Sequence, residues 1–264
     1  PLGLNQGVVV YFGSGKYIEA SDNTQVGQTT QSFYGVWDKN LSTLTAFDRT
    51  HMLQQQILQE VTSGGFELRA ASDNQIVWHS ATGTPSGSPP TTHLGWYMDL
   101  VNLQLNSSGT ATNSNNYGER QVSNAVLRND RIIFTTLIPS SNPCLADGTG
   151  WLMELDPADG SRIDFEIFDI NNDGVFDTSD WINVLFDVDG DGDVDSDDKL
   201  PPSGKKSKVG IIPTVGIIRK PGTGECINGI MVKYASGSMG VIEATSNNCG
   251  PDALGRQTWR ELGR

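Results

Sequence analysis

Arg131-Ile132-Ile133-Phe134-Thr135-Thr136-Leu137 and, further on, Trp151-Leu152-Met153-Glu154-Leu155-Asp156-Pro157-Ala158-Asp159-Gly160 are the stretches that decide the fold class. Each is a short apolar run rich in β-branched or aromatic residues, and the second ends in a dense cluster of turn formers. Runs of this kind, bounded by Gly, Pro, Asp and Asn, read as strands joined by turns. The reading extends outward in both directions. Residues 8–12 run into a turn at Gly13-Ser14-Gly15, residues 32–37 run into Asp38-Lys39-Asn40, and residues 230–234 and 240–244 flank Gly237-Ser238. A further strand is expected near Arg162. Residues 48–60 carry a helix-start signal and good helix formers. A short turn ending at Met52 and a strand through Val61 is preferred there, because the neighbours are strands and Gly64-Gly65 reads as a hairpin turn.

These strand pairs share a grammar: an apolar strand, a Gly-Ser or Gly-Thr step, a second strand and an Asp-containing turn. It resembles the blade repeat of quinoprotein-type β-propellers, in which a strand ends Leu-Asp-x-x-x-Gly. Leu155-Asp156-Pro157-Ala158-Asp159-Gly160 matches it best. Repeats that bury their faces only against neighbours imply a propeller or solenoid, with a meandering sandwich as the competing architecture. The expected fold is all-β: a partial or modified β-propeller of quinoprotein-like blades with an EF-hand-like calcium-loop insert at residues 168–200. Residues 82–92 and 105–116, rich in Gly, Pro, Ser, Thr and Asn, read as surface loops rather than domain boundaries.

Charge is concentrated in that insert. The 264 residues carry a formal net charge of −13, and eleven Asp with no Lys, Arg or His lie between Asp169 and Asp198, which leaves −2 for the rest. No basic stripe exists to neutralise phosphates, so nucleic acid is not an expected partner. No apolar run approaches the ~18 residues that cross a bilayer, so no membrane span is expected. Without a basic, apolar leader, an export signal would have been removed or lie upstream of Pro1. Cys144, Cys226 and Cys249 lack the CxxC spacing of a zinc site. A Cys226–Cys249 bridge across a strand pair and three unrelated thiols both fit.

The acidic window is a ligand set. Asp169, Asn171, Asp173, Asp177 and Asp180 fill side-chain positions 1, 3, 5, 9 and 12 of a calcium loop, with Gly174 at 6 and the Val175 carbonyl at 7. Phe176 at position 8 is expected as a buried anchor. A second copy begins 18 residues later: Asp187, Asp189, Asp191, Gly192, Asp193, Val194, Asp195 and Asp198 at positions 1, 3, 5, 6, 7, 8, 9 and 12. Four or five crowded carboxylates repel by several kcal/mol unless a hard dication sits among them. Ca²⁺ suits a flexible oxygen-rich loop better than Mg²⁺, which demands stricter octahedral geometry. Asp rather than Glu at position 12 reaches the ion with fewer or more distant oxygens. The six intervening residues 181–186 are too few for the helices of a calmodulin-like pair, so a rigid structural insert is expected.

No catalytic signature accompanies the loops. His51, His79 and His93 lack ligand spacing, and HExxH, GxSxG, P-loop and GxGxxG contexts are absent. Gly13-Ser14-Gly15-Lys16 lacks the spaced first glycine of a phosphate loop and reads as a hairpin turn. The chain is therefore not expected to be an enzyme. A quinoprotein-like oxidoreductase and a dockerin-like calcium-dependent pairing module are the alternatives.

Longer blocks carry a resemblance. Residues 10–17 and 31–38, Gly95-Trp96-Tyr97-Met98-Asp99-Leu100, Gly118-Glu119-Arg120, residues 126–139, Pro143-Cys144, Gly150 to Asp156 and residues 255–262 together resemble the C-terminal region of the PilC/PilY family of type IV pilus tip-associated proteins. The resemblance implies a modified β-propeller, export to an extracellular, outer-membrane-associated or pilus-tip location on a bacterium, and a role in pilus assembly, retraction control and adhesion. Expected partners are type IV pilus subunits (minor pilins) and a host or surface receptor. A family calcium loop carries over onto Asp169, Asn171, Asp173, Asp177 and Asp180; the loop from Asp187 to Asp198 is not assumed of the family. Residues 1–264 then form a C-terminal propeller region of a longer protein, with blades or a domain expected upstream.

Overall fold

Nine strands from distant parts of the chain join in one curled sheet. A computed structural model of the chain describes residues 7–41, 46–113, 116–142, 148–220, 230–236 and 242–247. In chain order the strands are β1 (Val8–Gly13), β2 (Ser32–Asp38), β3 (Leu53–Ser63), β4 (Phe66–Ala71), β5 (Gly95–Asn102), β6 (Val126–Arg128), β7 (Arg131–Thr135), β8 (Ile138–Pro139), β9 (Gly148–Thr149) and β10 (Trp151–Leu155). They continue with β11 (Ile182–Asn183), β12 (Lys199–Leu200), β13 (Gly204–Lys206), β14 (Gly216–Lys220), β15 (Ile230–Ser236) and β16 (Ile242–Asn247). No α-helix occurs among the described residues, so the all-β expectation holds. The three cysteines, the turn at Gly237-Ser238 and the block 255–262 lie outside the described residues.

The large sheet runs β1-β2-β5-β3-β4-β13-β10-β7-β6, with β14-β15-β16 forming a separate antiparallel sheet. Its pairings are antiparallel except β3 with β5. Residues 48–60 take the strand alternative: a 3-10 turn at Arg49–His51 leads into β3. Gln55, Ile57 and Gln59 are buried there, with a bulge between Ile57 and Gln59 that turns Gln59 to the outer face beside Ala70, so pairing on both sides overrides the helical propensity of the sequence. Gly64 and Gly65, with φ of 56° and 78°, make the two-residue β3–β4 turn, whose left-handed dihedrals match strand twist.

Two local expectations are corrected. No strand starts near Arg162. Its amide donates to the Ser72 carbonyl at 2.9 Å, and the segment after it packs Ile163, Ile167 and Phe168 onto the sheet without forming a strand of its own. Gly13-Ser14-Gly15 is not a tight hairpin; the chain makes an excursion through residues 14–31. Its base is pinned by Ser14 N–H on the Ser32 carbonyl at 2.8 Å and Ser32 N–H on Ser14 Oγ at 2.9 Å.

β7 and β10 are buried along their whole length because both sheet faces are covered. Inside the curl lie Phe33, Trp96, Met98, Ile132, Phe134, Trp151, Met153 and Leu155. Phe33 on β2 stacks on Phe134 on β7 with centroids 3.9 Å apart, although five strands separate them in the sheet. On the outer face, Leu68, Ala70, Ile133 and Leu152 pack against Ile167, Phe168, Ile170, Ile182 and Leu200. The Asp156–Gly160 turn fits the inner core. The Pro157 carbonyl accepts from Tyr11 Oη at 2.8 Å and Trp96 Nε1 at 3.3 Å. Gly160 has φ 75° and lies so close to the Trp96 ring that a Cβ would fall 2.2 Å from it. Burial pushes the Asp156 carboxyl above its ordinary range.

The interior also holds charge. Arg69, 2% exposed, is held by Glu119 through two 2.6 Å bonds and by Glu60 at 2.7 Å, with its guanidinium 3.9 Å over the Trp151 ring. Phe33→Ala is expected to cost about 3–5 kcal/mol in urea unfolding. Phe12→Ala, half-exposed on edge strand β1, should cost less than about 1.5 kcal/mol. Similar losses at the two sites would mean that the inner stack does not hold the curl.

Candidate metal-binding loops

The connection from β10 to β13 carries both acidic loops, and each builds itself through side chains that accept backbone amides of the same loop. In the first loop, Asp180 Oδ1 accepts from the Ile170 amide at 2.8 Å and Oδ2 from the Asp177 amide at 3.4 Å. Asp169 Oδ2 accepts from Gly174 at 3.1 Å, Asn171 Oδ1 from Asp173 at 2.9 Å, Asp173 Oδ1 from Val175 at 2.7 Å and Asp177 Oδ1 from Ser179 at 2.8 Å. The second loop repeats this position for position. Asp198 accepts from Val188 at 2.6 Å and Asp195 at 2.8 Å, and Asp187 Oδ2 from Gly192 at 3.0 Å. Asp189 accepts from Asp191 at 3.1 Å, Asp191 from Asp193 at 2.8 Å and Asp195 from Asp197 at 2.8 Å. Gly174 and Gly192, with φ of 83° and 96°, turn the chain at position 6 in a conformation that suits only glycine without strain.

These bonds fold the loops without consuming every carboxylate oxygen. Asp169 Oδ1 is buried and accepts no hydrogen bond, an orphaned acceptor of the kind a cation satisfies. Asp187, Asp189 and Asp191 each offer a carboxylate oxygen, all within 4.8 Å of one another, a cluster able to hold a metal ion. The first loop has no such trio, because neutral Asn171 gives its amide to Asp173 Oδ2 at 3.0 Å and Ser179 Oγ at 2.8 Å. The donor set of oxygens alone suits a hard dication.

The loops meet the core by their ends. At position 12, Asp180 and Asp198 are 0% and 2% exposed. Burial pushes the Asp180 carboxyl up despite its amide donors, whereas the amides of Val188 and Asp195 hold Asp198 down. Ser179 holds exposed Asp177 down as well. The anchor expected at position 8 is corrected: Phe176 is only partly buried and Val194 is 36% exposed. Ile170 at position 2, and Ile182 and Leu200 two residues beyond position 12, enter the outer core instead. Those last two face each other in the β11–β12 ladder, and the Val184 amide adds a 2.9 Å bond to the Asp198 carbonyl.

Three contacts were beyond sequence reasoning. Gln59, a buried strand residue, accepts the Leu185 amide at 2.8 Å between the loops. Trp181 Nε1 donates to Glu166 at 2.8 Å. Gly64, recognisable only as a turn residue, abuts the Ile170 carbonyl.

Fold and site together define an all-β, propeller-like domain whose outer face carries a tandem pair of acidic loops. No family profile matches the chain. Its curated homologues are type IV pilus biogenesis factors. "Type IV pilus biogenesis factor PilY1" of Pseudomonas aeruginosa is 28% identical over 182 residues, covering 66% of this chain and 14% of the relative. A PilY1 homolog of Xylella fastidiosa is 30% identical over 166 residues, covering 62% of this chain and 11% of the relative. The chain thus spans a small part of these relatives. Among solved structures, the crystal structure of the Pseudomonas aeruginosa PilY1 C-terminal domain matches with TM-score 0.67 and 21% identity, over 94% of this chain and 43% of that one. The resemblance and fold class read from the sequence are borne out. No helix among the described residues is long and apolar enough to cross a membrane.

Gly64→Ala is expected to lower the melting temperature several degrees more than Gly65→Ala. Both sites have positive φ, but only at Gly64 would Cβ fall 2.2 Å from the Ile170 carbonyl oxygen, while at Gly65 nothing lies within 4 Å. Equal losses would confine the strain to the turn and remove its contact with the first loop.

Proposed function

We propose that this chain is a calcium-binding, propeller-like region of a type IV pilus biogenesis factor. It acts without catalysis at the outer surface or pilus tip of a bacterium, and it supports pilus assembly, retraction control and adhesion through minor pilins and a host or surface receptor. The observation that carries the calcium reading is the position-for-position repetition of one carboxylate–amide lattice in two consecutive loops, with an orphaned buried oxygen at Asp169. The pilus reading is supported by the named relatives.

Asp169, Asn171, Asp173, Asp177 and Asp180, with the Val175 carbonyl, would hold one ion; Asp187, Asp189, Asp191, Asp193, Asp195 and Asp198 would hold the other. A bound dication supplies charge neutralisation among carboxylates that otherwise repel. The chain's own residues do the positioning: Asp180 and Asp198 close each loop on its second and ninth amides, and Ile170, Ile182 and Leu200 seat it on the sheet. Those anchors share a core with Leu68, Ala70, Ile133 and Leu152. That sharing favours an insert at 168–200 over a self-folding dockerin-like module.

At calcium one hundred times the dissociation constant, each site should add about 2.7 kcal/mol, or roughly 5–10 °C in melting temperature against a chelator control. Asp173→Ala should remove the first loop's share. An unchanged melting temperature for the intact protein would sink the calcium reading. A full-length factor carrying Asp173→Ala that restores twitching in a deletion strain would sink its link to pilus function.

A further inference from the structure

We propose that the two loops bind calcium as a coupled pair, the ion in one raising the affinity of the other through the β11–β12 ladder; this rests on the calcium reading above. Each loop is closed by its position-12 aspartate, and the chain leaving that residue enters the ladder at once. Ile182, two residues past Asp180, faces Leu200, two residues past Asp198, and Asn183 faces Lys199. The Val184 amide bonds the Asp198 carbonyl itself, so the residue that closes the second loop is tied through its backbone to the strand leaving the first. Ile182, Val184, Phe186 and Leu200 are buried in one cluster, and residues 181–186 leave no slack between the loops. The Leu185 amide is fixed to Gln59 of β3.

Ordering one position-12 residue therefore orders the ladder, and the ladder presents the other already aligned. A ligand that rigidifies a shared element lowers the entropic cost for the next. Repulsion between the ions does not reverse this. The first loop holds four aspartates and the second seven, so two positive charges leave either loop negative. The two loops need not have equal affinity. The neutral Asn171 and the all-carboxylate trio Asp187, Asp189 and Asp191 place the stronger charge in the second loop, whose occupancy then assists the first.

Nuclear magnetic resonance separates the sites. The Gly174 and Gly192 amides, each donated to the position-1 aspartate of its own loop, report on occupancy one loop at a time during a Ca²⁺ titration of the 264-residue chain. Asp191→Asn is expected to abolish saturable movement of Gly192 and to weaken the affinity reported by Gly174 at least ~5-fold. Asp173→Asn should weaken the Gly192 site by the same factor, because coupling is reciprocal. Asp197→Asn removes one charge from the second loop at a position that offers no ligand, and should change Gly174 affinity less than ~2-fold, as expected of an exposed charge screened by salt. Unchanged Gly174 affinity in Asp191→Asn overturns the coupling, and so does an equal loss in Asp197→Asn, which would reduce it to long-range charge. If neither glycine moves in the unaltered protein, the calcium reading itself fails, and the coupling with it.

Discussion

The stack of Phe33 on Phe134 is the contact on which the rest of the architecture depends. A nine-stranded sheet can bring its second and eighth strands together only by curling, and curling creates an inside and an outside. The inside fills with Trp96, Met98, Trp151 and their neighbours. The outside is left with an apolar strip on β4, β7 and β10 that must be covered, and the long connection after β10 covers it. The loops therefore sit on a surface whose shape is set by an aromatic pair on the opposite side of the sheet.

Buried charge and the acidic loops are handled by different means. Arg69 is satisfied within the protein by Glu60, Glu119 and the face of Trp151, so its geometry is self-contained. A buried cation of this kind is costly to leave half-paired, which ties the Glu119 segment to the β3–β4 hairpin. The loop aspartates instead lean on backbone amides: Asp180, Asp187 and Asp198 each accept amides on both oxygens, whereas Asp169 keeps one buried oxygen without a partner. One set of charges is paired with opposite charge, and the other is ordered by main-chain dipoles.

Local periodicity made strands and turns legible because β7, β10 and the Leu155–Gly160 turn obey short-range rules. The turn's glycine is required by a positive φ and by contact with Trp96, so the motif and its structural reason coincide. The loop positions were legible for the same reason: each aspartate bonds an amide only a few residues away. What could not be read is long-range. That β13 pairs with both β4 and β10, that β3 lies parallel to β5, and that Gln59 reaches the segment between the loops depend on residues far apart in the chain. The misplaced anchor at Phe176 has a related cause. In the helix-flanked loop from which the position-8 expectation derives, the middle of the loop faces a partner, whereas here the ends are seated on a sheet.

β13 has only three residues, yet without it the sheet separates into β1-β2-β5-β3-β4 on one side and β10-β7-β6 on the other. It is delivered by the same connection that carries both loops. Native pairing across the sheet's middle must therefore wait until the chain has passed through its most self-repelling segment. Contacts of such sequence separation are slow to form. The β4–β13 pairing thus closes the longest stretch of chain of any in the sheet, and the acidic window lies inside that stretch.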